Sequence, residues 1–214
     1  MNAGQANAAA DRVRSDEEDI AALAKGGRTN IFGFLLRLAA RLPFLFIAGR
    51  LYGAEVLGRF AYAILVVEFA AQLATLGLKR GLAGELSRTE RPHGHVVTEA
   101  ILVTVLASLA AAGLLILFPQ AMFPNSGING LDRLLPLIII AVAGSDIALA
   151  ACAYRFDIAA TVRARSIIEP WAISIGAFGF YFYSVRDGLI LSYVLSMVLA
   201  LVASLVPMIR HYGF

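Results

Sequence analysis

The sequence predicts an all-α membrane protein: a bundle of six transmembrane helices with both termini cytoplasmic. Three observations carry this reading. Six apolar stretches, at residues 31–51, 59–78, 97–118, 134–153, 167–183 and 189–209, approach or exceed the roughly 20 residues that a helix needs to cross about 30 Å of hydrocarbon. Hydrophobic residues make up 59% of the 214-residue chain and charged residues 15%, with a mean hydropathy of +0.76, outside the range of soluble domains. Basic residues, finally, fall unevenly between alternate connections. In lipid the backbone must satisfy its own hydrogen bonds, so apolar stretches of this length are read as helices.

Residues 1–29 are polar and mixed in charge. Asp16-Glu17-Glu18-Asp19 precedes Ile20, Leu23 and the basic junction Lys25-Gly26-Gly27-Arg28. This reads as a solvated cytoplasmic tail with at most one short interfacial helix. It is not a secretory signal, because a basic start and a small-x-small cleavage site are both missing. Residues 30–210 form the bundle and 211–214 a short cytoplasmic end.

The first two spans each carry a polar stripe. At 100° per residue, Asn30, Arg37, Arg41, Phe44 and Ala48 share one face of the first, and Ala61, Glu68, Gln72, Thr75 and Lys79 one face of the second. Pro43 predicts a kink in the first span. The third span bears a ladder of small residues, Thr104, Ser108 and Ala112, and the sixth another, Ser192, Ser196, Ala200 and Ser204. Both predict close helix approach. The loop at 119–133 contains Pro119, Pro124, Gly127 and Gly130 and reads as irregular. The fourth span holds Asp146 and the single Cys152, so no disulfide forms within the chain. Pro170 falls in the first turn of the fifth span, where proline costs little.

Orientation follows from Lys and Arg. With a cytoplasmic N-terminus, inner segments hold twelve of the 18, including Lys79, Arg80, Arg88, Arg91, Arg155, Arg163, Arg165 and Arg210. Outer segments hold Arg50, Arg59, Arg133 and Arg186, and Arg37 and Arg41 lie within the first span. This is the positive-inside distribution. It also accounts for the pI near 9.2 without nucleic acid as a partner.

Ionisable residues at membrane depth are the sharpest chemical signal, since each costs about 2.5–3.5 kcal/mol at a helix centre unless it faces a cavity or a partner. Arg37, Arg41, Glu68 and Asp146 stand out. Depth counting places Arg41 and Glu68 near the midplane of neighbouring antiparallel helices, which predicts an Arg41–Glu68 pair and, secondarily, Arg37–Asp146. Two readings stay open. Arg37 and Arg41 bind an anionic head group while Glu68, Asp146 and Gln72 serve ion coupling, or the charges pair simply to hold helices in register.

Other chemistry finds little support. His93-Gly94-His95 is a loop pair without further ligands, so no metal is expected. There is no phosphate-binding glycine loop with lysine, no serine elbow and no His-Glu-x-x-His. Glu68, Asp146 and Asp157 are too dispersed for a membrane transferase. The chain reads as a non-enzyme without a cofactor.

The run that starts at Gly49, GRLYGAEVLGRFAYAILVVEFAAQLATLGLKRGLAGELSR, resembles the polysaccharide-transporter branch of the multidrug/oligosaccharidyl-lipid/polysaccharide exporter superfamily. The resemblance rests on Tyr52-Gly53, Gly58, and Gly77-Leu78 followed by Lys79-Arg80, with the basic stretch from Tyr154-Arg155-Phe156 to Arg165 in support. Family members carry 12 to 14 spans as two six-helix bundles, so the chain is expected to match the amino-terminal half. The resemblance implies a flippase of the inner (plasma) membrane that moves a polyprenyl-diphosphate-linked glycan between leaflets by alternating access. Its partners would be membrane lipid, that glycan, and a second half from a homodimer or a separately encoded chain. A non-catalytic half acting as a scaffold in glycan assembly, and a small-molecule exporter of the same superfamily, are the alternatives.

Overall fold

The computed structural model describes Leu35, Leu38, Ala39, residues 41–124 and residues 126–213. The tail at 1–29, Arg37 and most of the first half of the first predicted span lie outside the described residues. Among those described, all regular structure is helical. We label the principal helices α1 (Gly53–Ala74), α2 (Leu78–Arg88), α3 (His93–Leu117), α4 (Ile138–Tyr154), α5 (Glu169–Tyr181) and α6 (Gly188–Tyr212). Four stretches are long and apolar enough to cross a membrane: Arg41–Arg88, His93–Leu117, Gly130–Tyr154 and Gly188–Tyr212. Their outward faces are apolar and open. Leu65, Phe69, Leu73, Leu102, Leu106, Leu109 and Val202 are all exposed, the reverse of a water-soluble surface. The chain is an all-α membrane protein.

The stretch Arg41–Arg88 folds back on itself. Phe44 and Phe60 pack at a tilt with ring centroids 5.7 Å apart, whereas sixteen residues of straight helix would separate them by about 24 Å. The reversal falls after the π-helical turn Ala48–Tyr52, at Gly53, whose φ of 83° is a left-handed conformation that a Cβ would strain. Tyr52 anchors the corner by donating its hydroxyl to the Ala177 carbonyl at 2.6 Å. At the opposite end of α1, Gly77 (φ 77°) turns the chain into α2. Leu82 and Leu86 of α2 are buried against the bundle while Arg80, Glu85, Ser87 and Arg88 remain exposed, an amphipathic pattern. Gly53 and Gly77 thus mark two turns of the backbone.

α4 is the central helix, packed against α1, α2, α3 and α6. Thirteen of its residues are buried, many of them small: Ala141, Ala143, Gly144, Ser145, Ala148 and Ala151. Small side chains let neighbouring backbones approach. The same holds at the α5–α6 contact, where a Cβ on Gly176 would meet the Ser192 Cβ at 2.9 Å. Both expected ladders are buried: Thr104, Ser108, Ser192, Ser196, Ala200 and Ser204 have no exposed surface and Ala112 has 1%.

The fifth helical run begins earlier than the apolar pattern predicts. The Asp157 carboxylate accepts from the Ala160 amide and caps the turn Ile158–Thr161, and a π-helical segment, Val162–Ile168, carries the chain into α5. Pro170 therefore sits within a continuous helical run rather than at its start. A proline there lacks an N–H and clashes with the carbonyl four residues back; the wider π-turn just before it accommodates both defects. α6 ends at Gly213, φ 72°, so the segment at 211–214 begins as the last turn of that helix.

Candidate functional site

A cavity of about 680 Å³ opens on the flank of the bundle between α1, α4, the run leading into α5, and α6. Helical spacing supplies its walls. α1 contributes Leu65, Glu68, Phe69 and Gln72, three or four residues apart. Arg165 and Glu169 follow the same rule on the fifth run, α4 presents Asp146, and α6 presents Tyr193 and Met197. Lys79 reaches the same space from the first turn of α2, and Arg41 from the first helical stretch.

Asp146 is the hub, its side chain only 7% exposed. Its Oδ1 accepts from Arg165 Nη2, and its Oδ2 lies 2.9 Å from Lys79 Nζ and 3.4 Å from Gln72 Nε2. Arg165, 16% exposed, also donates to Ser145 Oγ at 2.8 Å and to Glu169 Oε2 at 2.9 Å. Arg41 Nη2 stands 3.6 Å from Glu169 Oε1, an ion pair without a close hydrogen bond. Glu68 accepts from the Tyr193 hydroxyl at 3.1 Å. Charges out of water require such mutual satisfaction, because the desolvation penalty otherwise exceeds the Coulombic gain. The network is not closed, however. The side chains of Arg41 and Lys79 remain 59% and 46% exposed, so both cations keep donors free on the cavity rim.

Four of the residues singled out from sequence, Arg41, Glu68, Gln72 and Asp146, line this one cavity. Their expected pairing is corrected. Arg41 pairs with Glu169, not Glu68, because Glu169 projects from the fifth run on the same side, while Glu68 is taken by Tyr193. Arg37 lies outside the described residues, and the partners of Asp146 are Arg165 and Lys79. Arg165, read as part of an inner loop, is a nearly buried helical residue at the centre of the network. The wall is consequently charge-balanced, with Arg41, Lys79 and Arg165 facing Glu68, Asp146 and Glu169, rather than purely cationic. Two sequence signals point to the missed residues: the Asp157 cap, and the i,i+4 spacing of Arg165 and Glu169.

A second polar cluster lies at the opposite end from α2. The Asp132 side chain is fully buried, with Arg59 Nη2 at 2.5 Å and Arg186 Nη2 at 3.7 Å from its Oδ2. Asn129 and Asp132 form a reciprocal capping box, and the Arg59 guanidinium stacks 4.4 Å over Phe123. The cluster ties α1 to the 118–133 connection and to the start of α6. His93, in turn, packs edge-on against Tyr154.

No protein-family model, curated protein or solved structure matches the chain.

Proposed function

We propose that the protein is a transporter, not an enzyme, of the polysaccharide-transporter type, and that it moves a lipid-linked glycan across the inner membrane. In this reading the chain crosses the membrane six times with both termini cytoplasmic. The hairpin within Arg41–Arg88 and the run from Ile158 to Tyr181 supply the two crossings beyond the four longest stretches. The observation that carries the proposal is the flank cavity. Arg41 and Lys79 offer unsatisfied donors at its rim, suited to a polyprenyl diphosphate, while the exposed Leu65 and Phe69 on the same wall give the lipid tail an apolar path. A cavity open on one side also suits alternating access between paired six-helix bundles, whether a homodimer or two separately encoded halves.

The test is export of lipid-linked glycan by cells or proteoliposomes carrying Arg41→Gln, Lys79→Gln or both. The proposal expects export to fall at least tenfold in the double variant while membrane insertion and thermal stability hold. Unchanged export refutes it, as does a native mass of 22.8 kDa for the gently solubilised particle, which would leave no second bundle. A second reading, export of a cationic small molecule, is favoured by Glu68: among the described residues it has no cation within ion-pair distance. Glu68→Gln would then abolish cationic dye export and leave glycan untouched.

A further inference from the structure

At the C-terminal end of α6 a groove of about 570 Å³ runs between α6 and the helical run that begins at Ile158. Its character changes along its length. Leu199, Val202 and Val206 recur at three- and four-residue intervals on α6 and line one wall, each exposed. At the groove's end the chemistry becomes polar, with Arg163 from one wall and Arg210 from the other. Leu199 and Arg210 are eleven residues apart, about 16 Å along the helix, which matches the hydrocarbon thickness of one leaflet, half of about 30 Å.

The charges at that end are unevenly engaged. The Asp157 carboxylate accepts from the Ala160 amide at 3.1 Å and from His211 Nε2 at 2.9 Å. Among the described residues neither Arg163 nor Arg210 has a carboxylate within ion-pair distance, and both are exposed. Two guanidinium groups without a carboxylate in direct contact, Arg163 within electrostatic reach of Asp157, therefore crown an apolar channel one leaflet deep.

We propose that this groove is a binding site for an anionic phospholipid, its phosphodiester held between Arg163 and Arg210 and one acyl chain laid along Leu199, Val202 and Val206. Guanidinium groups match phosphate oxygens in geometry and charge, and a basic pocket between membrane helices at the interface is the setting in which head groups are recognised. The site lies apart from the flank cavity and does not depend on what that cavity transports.

The experiment is a thermal unfolding titration of the purified full-length chain in neutral detergent, with phosphatidylglycerol or phosphatidylcholine of identical acyl chains. Phosphatidylglycerol is expected to raise the midpoint saturably and phosphatidylcholine not to. In Arg163→Gln/Arg210→Gln the apparent affinity should weaken roughly thirtyfold, two cations at about a factor of five each. Val206→Trp, which fills the apolar channel from an exposed position, should weaken it as well. Arg80→Gln/Arg88→Gln on α2 removes the same charge elsewhere and should leave the titration unchanged. Equal stabilisation by both lipids overturns the proposal. So does an undiminished response in the Arg163/Arg210 variant, an equal loss in the Arg80/Arg88 control, or reproduction of the effect by inorganic phosphate alone.

Discussion

Lys79 Nζ lies 2.9 Å from Asp146 Oδ2, a contact between residues 67 apart in the chain. It joins the first turn of the amphipathic helix α2 to the central helix α4. Because the other Asp146 oxygen holds Arg165, one carboxylate fixes three elements relative to one another. Lys79 is half exposed and Arg165 nearly buried, so the two contacts differ in worth. An exposed ion pair contributes about 0–1 kcal/mol, whereas breaking a buried one strands a charge and costs about 3–5 kcal/mol.

Asp146→Asn is accordingly expected to destabilise the bundle by about 3–5 kcal/mol, since it leaves the Arg165 guanidinium without its closest counter-charge. Lys79→Met should cost no more than about 1 kcal/mol. Detergent-solubilised thermal unfolding of the two variants measures the difference. The double variant Asp146→Leu/Arg165→Met should recover only part of the loss, since it leaves Glu169 with Arg41 alone, at 3.6 Å.

The Asp132 cluster makes a graded prediction of the same kind. Arg59 is nearly buried and 2.5 Å from Asp132, while Arg186 is half exposed and 3.7 Å away. Arg59→Met should lower stability by about 3–5 kcal/mol and Arg186→Met by less than about 1 kcal/mol. Equal effects in unfolding measurements would show that the two arginines share the burden of neutralising Asp132.

Gly176 tests the packing of α5 on α6. Its Cα faces Ser192 so closely that an added methyl would lie 2.9 Å from the Ser192 Cβ and 3.1 Å from its Cα. Gly176→Ala is expected to cost about 1–3 kcal/mol, the range for overpacking. Trimming the opposing side chain, in Gly176→Ala/Ser192→Gly, should return part of it.

Much of this arrangement was legible before any coordinates. Polar residues inside apolar spans are costly, so Arg41, Glu68, Gln72 and Asp146 identified themselves, and they share one cavity. Gly53 and Gly77 stood out as parts of the motif, and both turn the backbone. Partner assignment was not legible, because depth counting fixes the height of a residue but not the rotation of its helix or the identity of its neighbours. Arg41 and Glu68 illustrate this: both face the cavity, yet Glu169 lies nearer to Arg41. Arg165 was missed because, with Arg163, it dilutes the hydropathy at the start of the fifth run and shifts the apolar window to residue 167, which leaves Glu169 at the window's edge.

The Asp157–His211 contact predicts a pH dependence at the basic end of the bundle. The hydrogen bond from His211 and the amide of Ala160 hold the Asp157 carboxyl below the usual carboxylate range. A carboxyl with a depressed pKa contributes stability that is fully present above its unfolded value, about 3.9, and is lost as pH falls through the lower folded value. The stability difference between wild type and Asp157→Asn should therefore shrink as pH falls below about 5, converging only below about pH 4. Unfolding midpoints measured across pH 3 to 7 give the comparison, and convergence already at pH 6 would place the titrating group elsewhere.

Glu68 supplies the last prediction, because its environment differs from that of the other cavity carboxylates. Asp146 and Glu169 each face cations, whereas Glu68 accepts from the neutral Tyr193 hydroxyl. On the proposed transporter reading, this lack of a cation within ion-pair distance among the described residues makes Glu68 the candidate coupling group of the cavity. Glu68→Gln keeps an oxygen to accept from Tyr193, and should change stability by less than about 1 kcal/mol while making transport independent of the proton gradient. Tyr193→Phe leaves the carboxylate and removes its donor, so gradient-coupled transport should persist. The exchange Arg41→Glu/Glu68→Arg should restore nothing, since these residues are not partners. Recovery of transport in that exchange would return Glu68 to the role of a simple counter-ion.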